Sequence, residues 1–417
     1  MVADLWQVLM GQISSTLVRA ASLAQSREFD FSLPDSRMRI VADENMPLVD
    51  ELFGALGDVV RLPGRSIRKE DVRDADILLV RSVTQVTTEL LKGSQVKLVG
   101  TATIGTDHID LPAMAEMEIT VASAPGCNAR AVAEYVLACL SLMAREQGWQ
   151  PSDRRVGVVG LGNVGRQVVD LLQRVGFEVS GCDPFVVSAA YSGLPLVALD
   201  DMIDGCDILL LHTPLSWSGP HPTFHLLNRE RLARLRHSQI LLNAGRGEVI
   251  DNAALHDRLQ QEDAPVVILD VWEGEPVVMP ALLEQARLGS PHVAGYSQEG
   301  KWRGTAMIYE AWCRFVGVKP TATLADLGLP TGPVLPCPQT DSLIGAIAEL
   351  TSSLCDVARD DAALRSSLTE ADPALAFDRL RRNYPPRFEF SSCTITGPVP
   401  VVLRPGLKAL GFQMATN

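Results

Sequence analysis

The segment from Val156 to Asp183 constrains the fold of this chain more than any other. It contains a short apolar strand, the glycine-rich turn at 160–165, an amphipathic helix, and a second strand that ends in Asp183. This order of strand, turn, helix, strand and acid is that of a dinucleotide-binding βαβ unit. A glycine turn alone can occur by chance, but the elements on both sides of it favour a nucleotide site.

Each glycine of the turn has a predicted task. Gly160 permits the tight turn, Gly162 lets the backbone approach a pyrophosphate, and Gly165 lets the helix pack against the strand. The N-terminus of the helix then offers free N–H groups and the positive end of its dipole to phosphate. Asp183 can accept both ribose hydroxyls, and its charge would repel a 2′-phosphate, so we expect NAD rather than NADP as the cofactor.

The length and charge of the chain limit what else it can be. A chain of 417 residues is too long for one compact core, so several domains are expected. The net charge of −13 disfavours nucleic acid and anionic membranes as main partners. The 8 cysteines lack metal-ligand spacing, which favours reduced thiols in a cytoplasmic protein and predicts no metal site.

Strands and helices alternate along most of the chain. From Met38 onward this order predicts parallel sheets, and ligands bind at the carboxyl ends of parallel strands. Polar groups follow several predicted strands. Two of these loops, residues 81–82 and 101–108, are therefore candidate substrate contacts.

The two ends of the chain have a different character. Residues 1–37 precede a fresh start at Met38 and are expected to be an upstream extension. Residues 320–339 are rich in Pro, Gly and Thr, which predicts a linker, and 340–417 are expected to form an appended domain. The elements predicted there are helices at 341–359 and 373–382 and strands at 388–395 and 401–403.

Three residues at strand ends have the properties that oxidation of an alcohol requires. Arg246 can bind a carboxylate bidentately. His292 can act as a base, as histidine commonly does in enzymes, and Glu275 can fix its tautomer. Taken singly, each residue also fits a structural or solvated role. His212, beside the expected nicotinamide loop, is a second histidine that could act directly.

Four motifs in order carry a resemblance to a known family. They are the glycine turn, Asn-Ala-Gly-Arg-Gly at 243–247, Asp-Val-Trp-Glu-Gly-Glu-Pro at 270–276 and Pro-His-Val-Ala-Gly at 291–295. Together they resemble the D-isomer-specific 2-hydroxyacid dehydrogenases over roughly residues 38–315. The resemblance implies a Rossmann NAD-binding domain inserted in a flavodoxin-like substrate domain, an α/β fold with the active site in the cleft. It also implies that Arg246 binds the substrate carboxylate, His292 is the acid/base and Glu275 is its partner.

The resemblance further implies domain boundaries and contacts. The expected domains are a substrate domain at 38–130 and 293–319, an NAD-binding domain at 131–292, and a small α+β dimerisation domain at 340–417 that would make a homodimer. The expected NAD contacts are Gly160, Gly162, Asn163, Val164, Gly165, Asp183, Thr213, Asp270 and Gly295. The expected substrate contacts are Ser82, Thr103 and Tyr296.

Within the family, the segments 39–47, 80–84 and 101–108 resemble a branch that oxidises a phosphorylated four-carbon 2-hydroxy acid on the route to pyridoxal 5′-phosphate. Two alternatives stay open. One is a sister dehydrogenase acting on 3-phosphoglycerate, glyoxylate or another 2-hydroxy acid. The other is a non-catalytic, NAD-sensing scaffold of the corepressor kind.

The residues that would bind a substrate phosphate are not determined by these motifs. Arg81 is one candidate, from its place beside Ser82. A basic cluster of Arg379, Arg381 and Arg382 could reach the active site of a neighbouring subunit. The alternative for that cluster is a solvated helix face.

Overall fold

The computed structural model describes residues 37–186 and 193–415. The expected extension over residues 1–37 lies outside them, apart from its last residue. The described residues form three sheets, each with parallel strands throughout. The α/β class predicted from the alternation of strands and helices is thereby confirmed.

The first sheet lies in the domain that was expected to bind substrate. Its elements are β1 (Met38–Asp43), α1 (Val49–Phe53), β2 (Gly57–Leu62), α2 (Lys69–Val72), β3 (Ile77–Val80), α3 (Thr88–Leu91), β4 (Leu98–Thr101), α4 (Leu111–Glu116) and β5 (Thr120–Ser123). The strand order β2-β1-β3-β4-β5 is the flavodoxin-like one. Every residue of β3 is buried, as a strand covered by helices on both faces requires.

The second sheet lies in the expected NAD-binding domain and is reached through the long helix α5 (Ala129–Gln147). Its elements are β6 (Arg155–Val159), α6 (Asn163–Val175), β7 (Glu178–Cys182), α7 (Leu199–Gly205), β8 (Ile208–Leu211), α8 (Arg229–Ala233), β9 (Ile240–Asn243), α9 (Asn252–Leu259), β10 (Val266–Leu269), α10 (Pro280–Gln285) and β11 (Leu288–Gly289). The strand order is β11-β10-β9-β8-β6-β7. The chain then returns through α11 (Gln298–Phe315), whose apolar face packs into the core of the substrate domain.

A third, smaller unit follows. Its elements are β12 (Val334–Pro336), α12 (Leu343–Leu354), α13 (Val357–Ser367), α14 (Pro373–Arg382), β13 (Thr394–Thr396), α15 (Arg404–Ala409) and β14 (Gln413–Met414). Its core is continuous with that of the NAD-binding domain, because Ile347 and Phe390 belong to the same buried cluster as Val136 and Leu140 of α5. The unit is therefore packed onto the nucleotide domain and has no separate core.

Several sequence expectations for this unit were wrong. The single helix expected over 341–359 is two helices, because Asp356 accepts a hydrogen bond from the Arg359 N–H and starts a new helix. Residues 401–403 form a turn that leads into α15, and the expected strand at 388–395 is reduced to β13. The expected linker ends in β12, an edge strand that tolerates its proline.

Two further observations concern the chain as a whole. No helix in the described ranges is long and apolar enough to cross a membrane. All 8 cysteines are free thiols, and six of them are buried in apolar clusters. Burial raises the pKa of Cys393 to about 12, so this thiol stays protonated and packs as an apolar group.

Candidate active site

A histidine and a glutamate meet at the carboxyl ends of two neighbouring strands. Glu275 lies in the loop after β10 and His292 in the loop after β11, and these strands pair in the sheet. Nδ1 of His292 lies 2.5 Å from Oε1 of Glu275. This contact fixes the ring tautomer, so that Nε2 is the nitrogen left to exchange a proton with a substrate.

The charge of Glu275 is set by its surroundings. Burial by itself would raise the pKa of this carboxyl, but His292 and then Arg381 outweigh it and hold the pKa below its usual range. Glu275 is therefore ionised near neutral pH. An ionised carboxylate at this distance stabilises the imidazolium that forms when His292 takes up a proton.

Asp270 organises the loop that carries His292. It is fully buried, and its Oδ1 accepts hydrogen bonds from Ser290 Oγ at 2.6 Å, Val293 N at 2.8 Å and Ala294 N at 3.1 Å. His292 itself has a left-handed backbone with φ of 56°. We expected Asp270 to contact NAD. Its hydrogen bonds give Asp270 a positioning role, and its contact with NAD stays a prediction.

We expect Asp270→Ala to destabilise the protein. The change leaves two buried N–H groups and a hydroxyl without their acceptor, which should lower the free energy of unfolding by roughly 2–4 kcal/mol. Denaturant unfolding measures this loss. Asp270→Asn keeps one acceptor oxygen and should retain part of the stability. Equal stability of the wild-type and alanine proteins would contradict the positioning role.

Arg246 reaches across the cleft to the substrate domain. Its Nε and Nη2 donate to Oδ2 of Asp107 at 3.1 and 3.0 Å, so its planar fork already holds a carboxylate. Gly105 lies against the guanidinium, where a side chain would collide with Nη2. Arg246 is therefore placed at the loop after β4, as expected for a residue that binds a substrate carboxylate.

The expected substrate contacts lie around the same cleft. Thr103 is in the loop that Arg246 contacts, and its hydroxyl donates to the Gly105 carbonyl at 2.8 Å. Ser82 is exposed at the end of β3. Tyr296 follows the His292 loop, and its hydroxyl accepts from Nη2 of Arg81 at 3.4 Å.

The glycine turn has the form that a bound dinucleotide needs. Gly160 has φ of 88°, and a side chain there would press on the His212 backbone. A side chain at Gly165 would collide with the Gly160 carbonyl, whereas nothing lies within 4 Å of the corresponding position at Gly162. Helix α6 begins at Asn163 with no side-chain cap and no acid in its first turn. Its free N–H groups are thus available to a pyrophosphate.

The other expected NAD contacts surround this turn. Asp183 ends β7, and its Oδ2 accepts from the Leu161 N–H at 2.9 Å. The Thr213 hydroxyl, after β8, is buried and has no hydrogen-bond partner. Val164 is half-buried in the first turn of α6, and Gly295 lies against the Asn128 amide. An unpartnered buried hydroxyl is costly unless a ligand satisfies it, which supports Thr213 as a contact.

The choice between NAD and NADP should depend on Asp183. We expect kcat/KM to favour NAD, and we expect Asp183→Ser to reduce that preference by roughly 10-fold or more, since like charges that are brought together cost at least 1.4 kcal/mol. Initial rates with each cofactor measure the ratio. Asp170→Ser, on the exposed side of α6, is the control. An unchanged ratio of kcat/KM for NAD to kcat/KM for NADP in Asp183→Ser would exclude this role for Asp183.

His212 is a poor candidate for the base. It is buried beside the glycine turn, its ring nitrogens have no hydrogen-bond partner, and burial lowers its pKa to about 3. A ring that stays neutral can still shape the nicotinamide pocket. It cannot store a proton near neutral pH.

One group of residues could hold a cation, although the sequence predicted no metal site. In the part of the chain that the structure describes, ligand atoms of His225, Asp251 and Glu273 lie within 4.8 Å of one another. The His225 Nε2 to Glu273 Oε1 distance is 2.8 Å. That hydrogen bond accounts for the cluster without an ion, so it adds nothing to the chemistry of the cleft.

Sequence reasoning missed two residues here and misplaced a third. Asp107 was passed over within its loop, and Lys301 was not considered, although it lies in the first turn of the helix that follows Tyr296. Arg381 was expected, if it acted at all, to reach a neighbouring subunit. It lies instead beside Tyr296 of its own chain, with its guanidinium carbon 6.0 Å from the ring centroid.

Comparison with known proteins agrees with this geometry. Residues 141–294 match the NAD-binding domain of the D-isomer-specific 2-hydroxyacid dehydrogenases, and residues 339–411 match a domain of unknown function (DUF3410). The erythronate-4-phosphate dehydrogenase of Pseudomonas savastanoi pv. phaseolicola is 49% identical over 86% of this chain and 94% of its own. That of Marinobacter nauticus is 47% identical over 90% of this chain and 100% of its own.

This chain belongs to the erythronate-4-phosphate dehydrogenase family. The family predicted from the motifs is thereby confirmed, and so is NAD as the cofactor, because the matching domain model is NAD-binding. Solved structures agree in fold. D-lactate dehydrogenase from Aquifex aeolicus, complexed with NAD and lactic acid, has a TM-score of 0.57 at 22% identity and covers 67% of this chain and 95% of its own. A glyoxylate reductase from Paecilomyes thermophila also has a TM-score of 0.57, at 21% identity, and covers 67% of this chain and 96% of its own.

Proposed function

We propose that this protein oxidises 4-phospho-D-erythronate to 2-oxo-3-hydroxy-4-phosphobutanoate with NAD, a step towards pyridoxal 5′-phosphate. The observation that carries the proposal is the His292–Glu275 pair at the edge of a nucleotide-binding sheet. Arg246, which reaches across the cleft, adds the cation that a 2-hydroxy acid requires. The names of the relatives at 49% and 47% identity supply the substrate.

Each residue of the cleft has a separate role in the reaction. When bound at the glycine turn, NAD would accept the hydride. Neutral His292 takes the C2 hydroxyl proton at Nε2 and later releases it to solvent. Glu275 stabilises the imidazolium that forms in between. Arg246 holds the C1 carboxylate in its fork, where Asp107 is held in this structure.

Turnover with product analysis tests the proposal. Purified protein is incubated with NAD and 4-phosphoerythronate, NADH is followed by its absorbance, and the organic product is analysed by mass spectrometry. A 2-oxo acid is included as acceptor in case NADH stays bound. We expect a product two hydrogens lighter than the substrate. Absence of turnover by protein that binds NAD would contradict the proposal and favour the scaffold alternative.

The assembly and location of the protein are part of the same proposal. We infer a homodimer formed through residues 340–417, and its support is a patch of exposed apolar residues there. Val401 and Val402 are 78% and 67% exposed. Light scattering should give twice the chain mass of 45.1 kDa, and a mass equal to one chain would contradict it. The free cysteines favour the cytoplasm.

A further inference from the structure

The described residues cross between the first and the second sheet at two places. The first crossing, residues 124–128, joins β5 to α5, and the second crossing, residues 290–297, joins β11 to α11 and contains His292. The two crossings touch, because a side chain at Gly295 would collide with the amide of Asn128. Hinges between domains are a few residues at the ends of elements, so any change in the width of the cleft requires these two crossings to flex.

One arginine of the C-terminal unit bonds to the chain at both crossings. Arg387 is buried, its Nη1 donates to the Ala294 carbonyl of the second crossing at 3.0 Å, and its Nη2 donates to the Ala131 carbonyl, just after the first crossing. The carbonyl of Arg387 accepts from the Gln298 N–H at 2.8 Å, where α11 begins. A single residue thus ties the two crossings to each other.

A glutamate two residues further on makes the same connection. Glu389 is 3% exposed, and its Oε1 accepts from the Ser297 hydroxyl of the second crossing at 2.9 Å. Its Oε2 accepts from Nη1 of Arg303 at 3.1 Å, and Nε of Arg303 donates to the Cys127 carbonyl of the first crossing at 2.8 Å. Separating a buried charge from its partners is costly, so these bonds resist movement of either crossing.

The C-terminal unit is anchored on both sides of the crossings. On one side, Phe390 belongs to the buried cluster of α5, and its N–H donates to Oε1 of Glu134 at 3.0 Å. On the other side, Asp378 of α14 pairs with Arg65, which follows β2 of the first sheet, at 2.6 Å. A unit attached to both domains opposes their separation as the cleft opens.

The contact of Arg387 with Ala294 also acts on the catalytic loop. His292 has a left-handed backbone with φ of 56°, and Ala294 follows two residues later. The N–H of Ala294 donates to Asp270, and its carbonyl accepts from Arg387, so this residue is held from the second sheet and from the C-terminal unit. The direction in which His292 points therefore depends on both attachments.

We propose that Arg387 and Glu389 form a clamp on the hinge between the two domains, which limits the opening of the cleft and positions the His292 loop. They are positioning residues, because they act through Ala294, Ser297 and Arg303. The clamp acts on the hinge whichever acid enters the cleft, so it goes beyond the proposed function. It also gives the C-terminal unit a part in the reaction within its own chain.

Hydrogen exchange on the NAD-saturated protein tests the clamp. Glu389→Gln removes the charge and keeps the shape, and Arg387→Lys keeps the charge but loses the fork that reaches two carbonyls. The matched controls are Glu370→Gln and Arg404→Lys, at exposed positions of the same unit. We expect the amides of residues 124–131 and 293–298 to exchange roughly 10-fold faster in the clamp variants only, since a lost hydrogen bond to a charged group has about this effect.

Turnover measures the effect of the clamp on the catalytic loop. With 4-phosphoerythronate, kcat per molecule of bound NAD should fall by roughly 10-fold or more in both clamp variants, since small displacements of reacting groups are costly. The controls should retain the wild-type kcat. NAD affinity should not change, because the glycine turn lies outside the crossings. Expressing kcat per bound NAD removes any contribution from unfolded protein.

The outcomes separate the clamp from the proposed function. Faster exchange confined to the crossings, with no turnover of 4-phosphoerythronate by the wild type, would retain the clamp and reject the proposed function. Wild-type turnover with unchanged exchange at the crossings in both clamp variants would do the reverse. Exchange that accelerates equally in β8 and β9 indicates a general loss of stability and would overturn the clamp. An unchanged kcat per bound NAD in both variants would also overturn it.

Discussion

Replacing His292 by Ala should have the largest effect of any single change in the cleft. The variant loses the group that takes the C2 hydroxyl proton, so kcat should fall by about 10²–10⁴-fold, the usual contribution of a general acid/base. The measurement is the initial rate of NADH formation at saturating NAD and 4-phosphoerythronate. KM should change much less than kcat, because proton transfer occurs only as the reaction proceeds.

The control for this variant is His237→Ala, an exposed histidine of the NAD-binding domain. It should retain wild-type turnover, and both variants should bind NAD equally. Glu275→Gln keeps a hydrogen-bonding side chain beside the ring but removes the charge that stabilises imidazolium, so it should also lower kcat. Full turnover by His292→Ala would exclude the histidine as the base.

Replacing Arg246 by Met should have the second largest effect. The change removes two charge-assisted hydrogen bonds to the substrate carboxylate, and kcat/KM should fall by roughly 10²–10⁴-fold, at about 1.5–3 kcal/mol for each bond. Arg246→Lys keeps the charge but cannot form the fork, so its kcat/KM should lie between those of the wild type and the methionine variant. Initial rates at varied 4-phosphoerythronate measure both.

Arg229→Lys is the matched control for Arg246→Lys. Arg229 is exposed on the same domain and pairs with Asp257 at 2.7 Å. Its kcat/KM should equal that of the wild type. An unchanged KM in both Arg246 variants would show that Arg246, although it binds the Asp107 carboxylate in this structure, does not bind the carboxylate of the substrate.

The glycine turn could be predicted from the sequence because all its parts are local. The tight turn at Gly160 and the close packing at Gly165 arise from contacts within a single βαβ unit. The spacing of the glycines along the chain is therefore enough to predict the geometry of the turn. The parallel sheets could be predicted for the same reason, since each strand and crossover helix is encoded by a continuous segment.

The pairing of Glu275 with His292 could not be predicted from the local sequence pattern alone. Glu275 and His292 are ordinary residues taken singly, and only the family motifs pointed to them together. The structure supplies the physical reason, because β10 and β11 are neighbours and deliver both loops to one edge of the sheet. Strand order is a property of the whole domain and cannot be deduced from the sequence of either loop.

The approach of Lys301 and Arg381 to Tyr296 and the core of the C-terminal unit could not be predicted from local pattern. Lys301 and Arg381 meet only because α14 crosses from the nucleotide domain towards the substrate domain. A basic side chain at the end of a helix is equally consistent with an exposed position. Arg379 on the same helix, for example, pairs with Glu370. The shared core around Phe390 likewise depends on tertiary packing against α5.

We expect the cleft to select a phosphorylated four-carbon 2-hydroxy acid. The most direct test is kcat/KM for NAD reduction with 4-phosphoerythronate and with 3-phosphoglycerate, measured side by side on the same purified protein. The two acids differ by one hydroxylated carbon between carboxylate and phosphate. We predict turnover selective for 4-phosphoerythronate. Turnover with 3-phosphoglycerate alone would exclude this selectivity and assign the same fold and catalytic residues to a sister dehydrogenase.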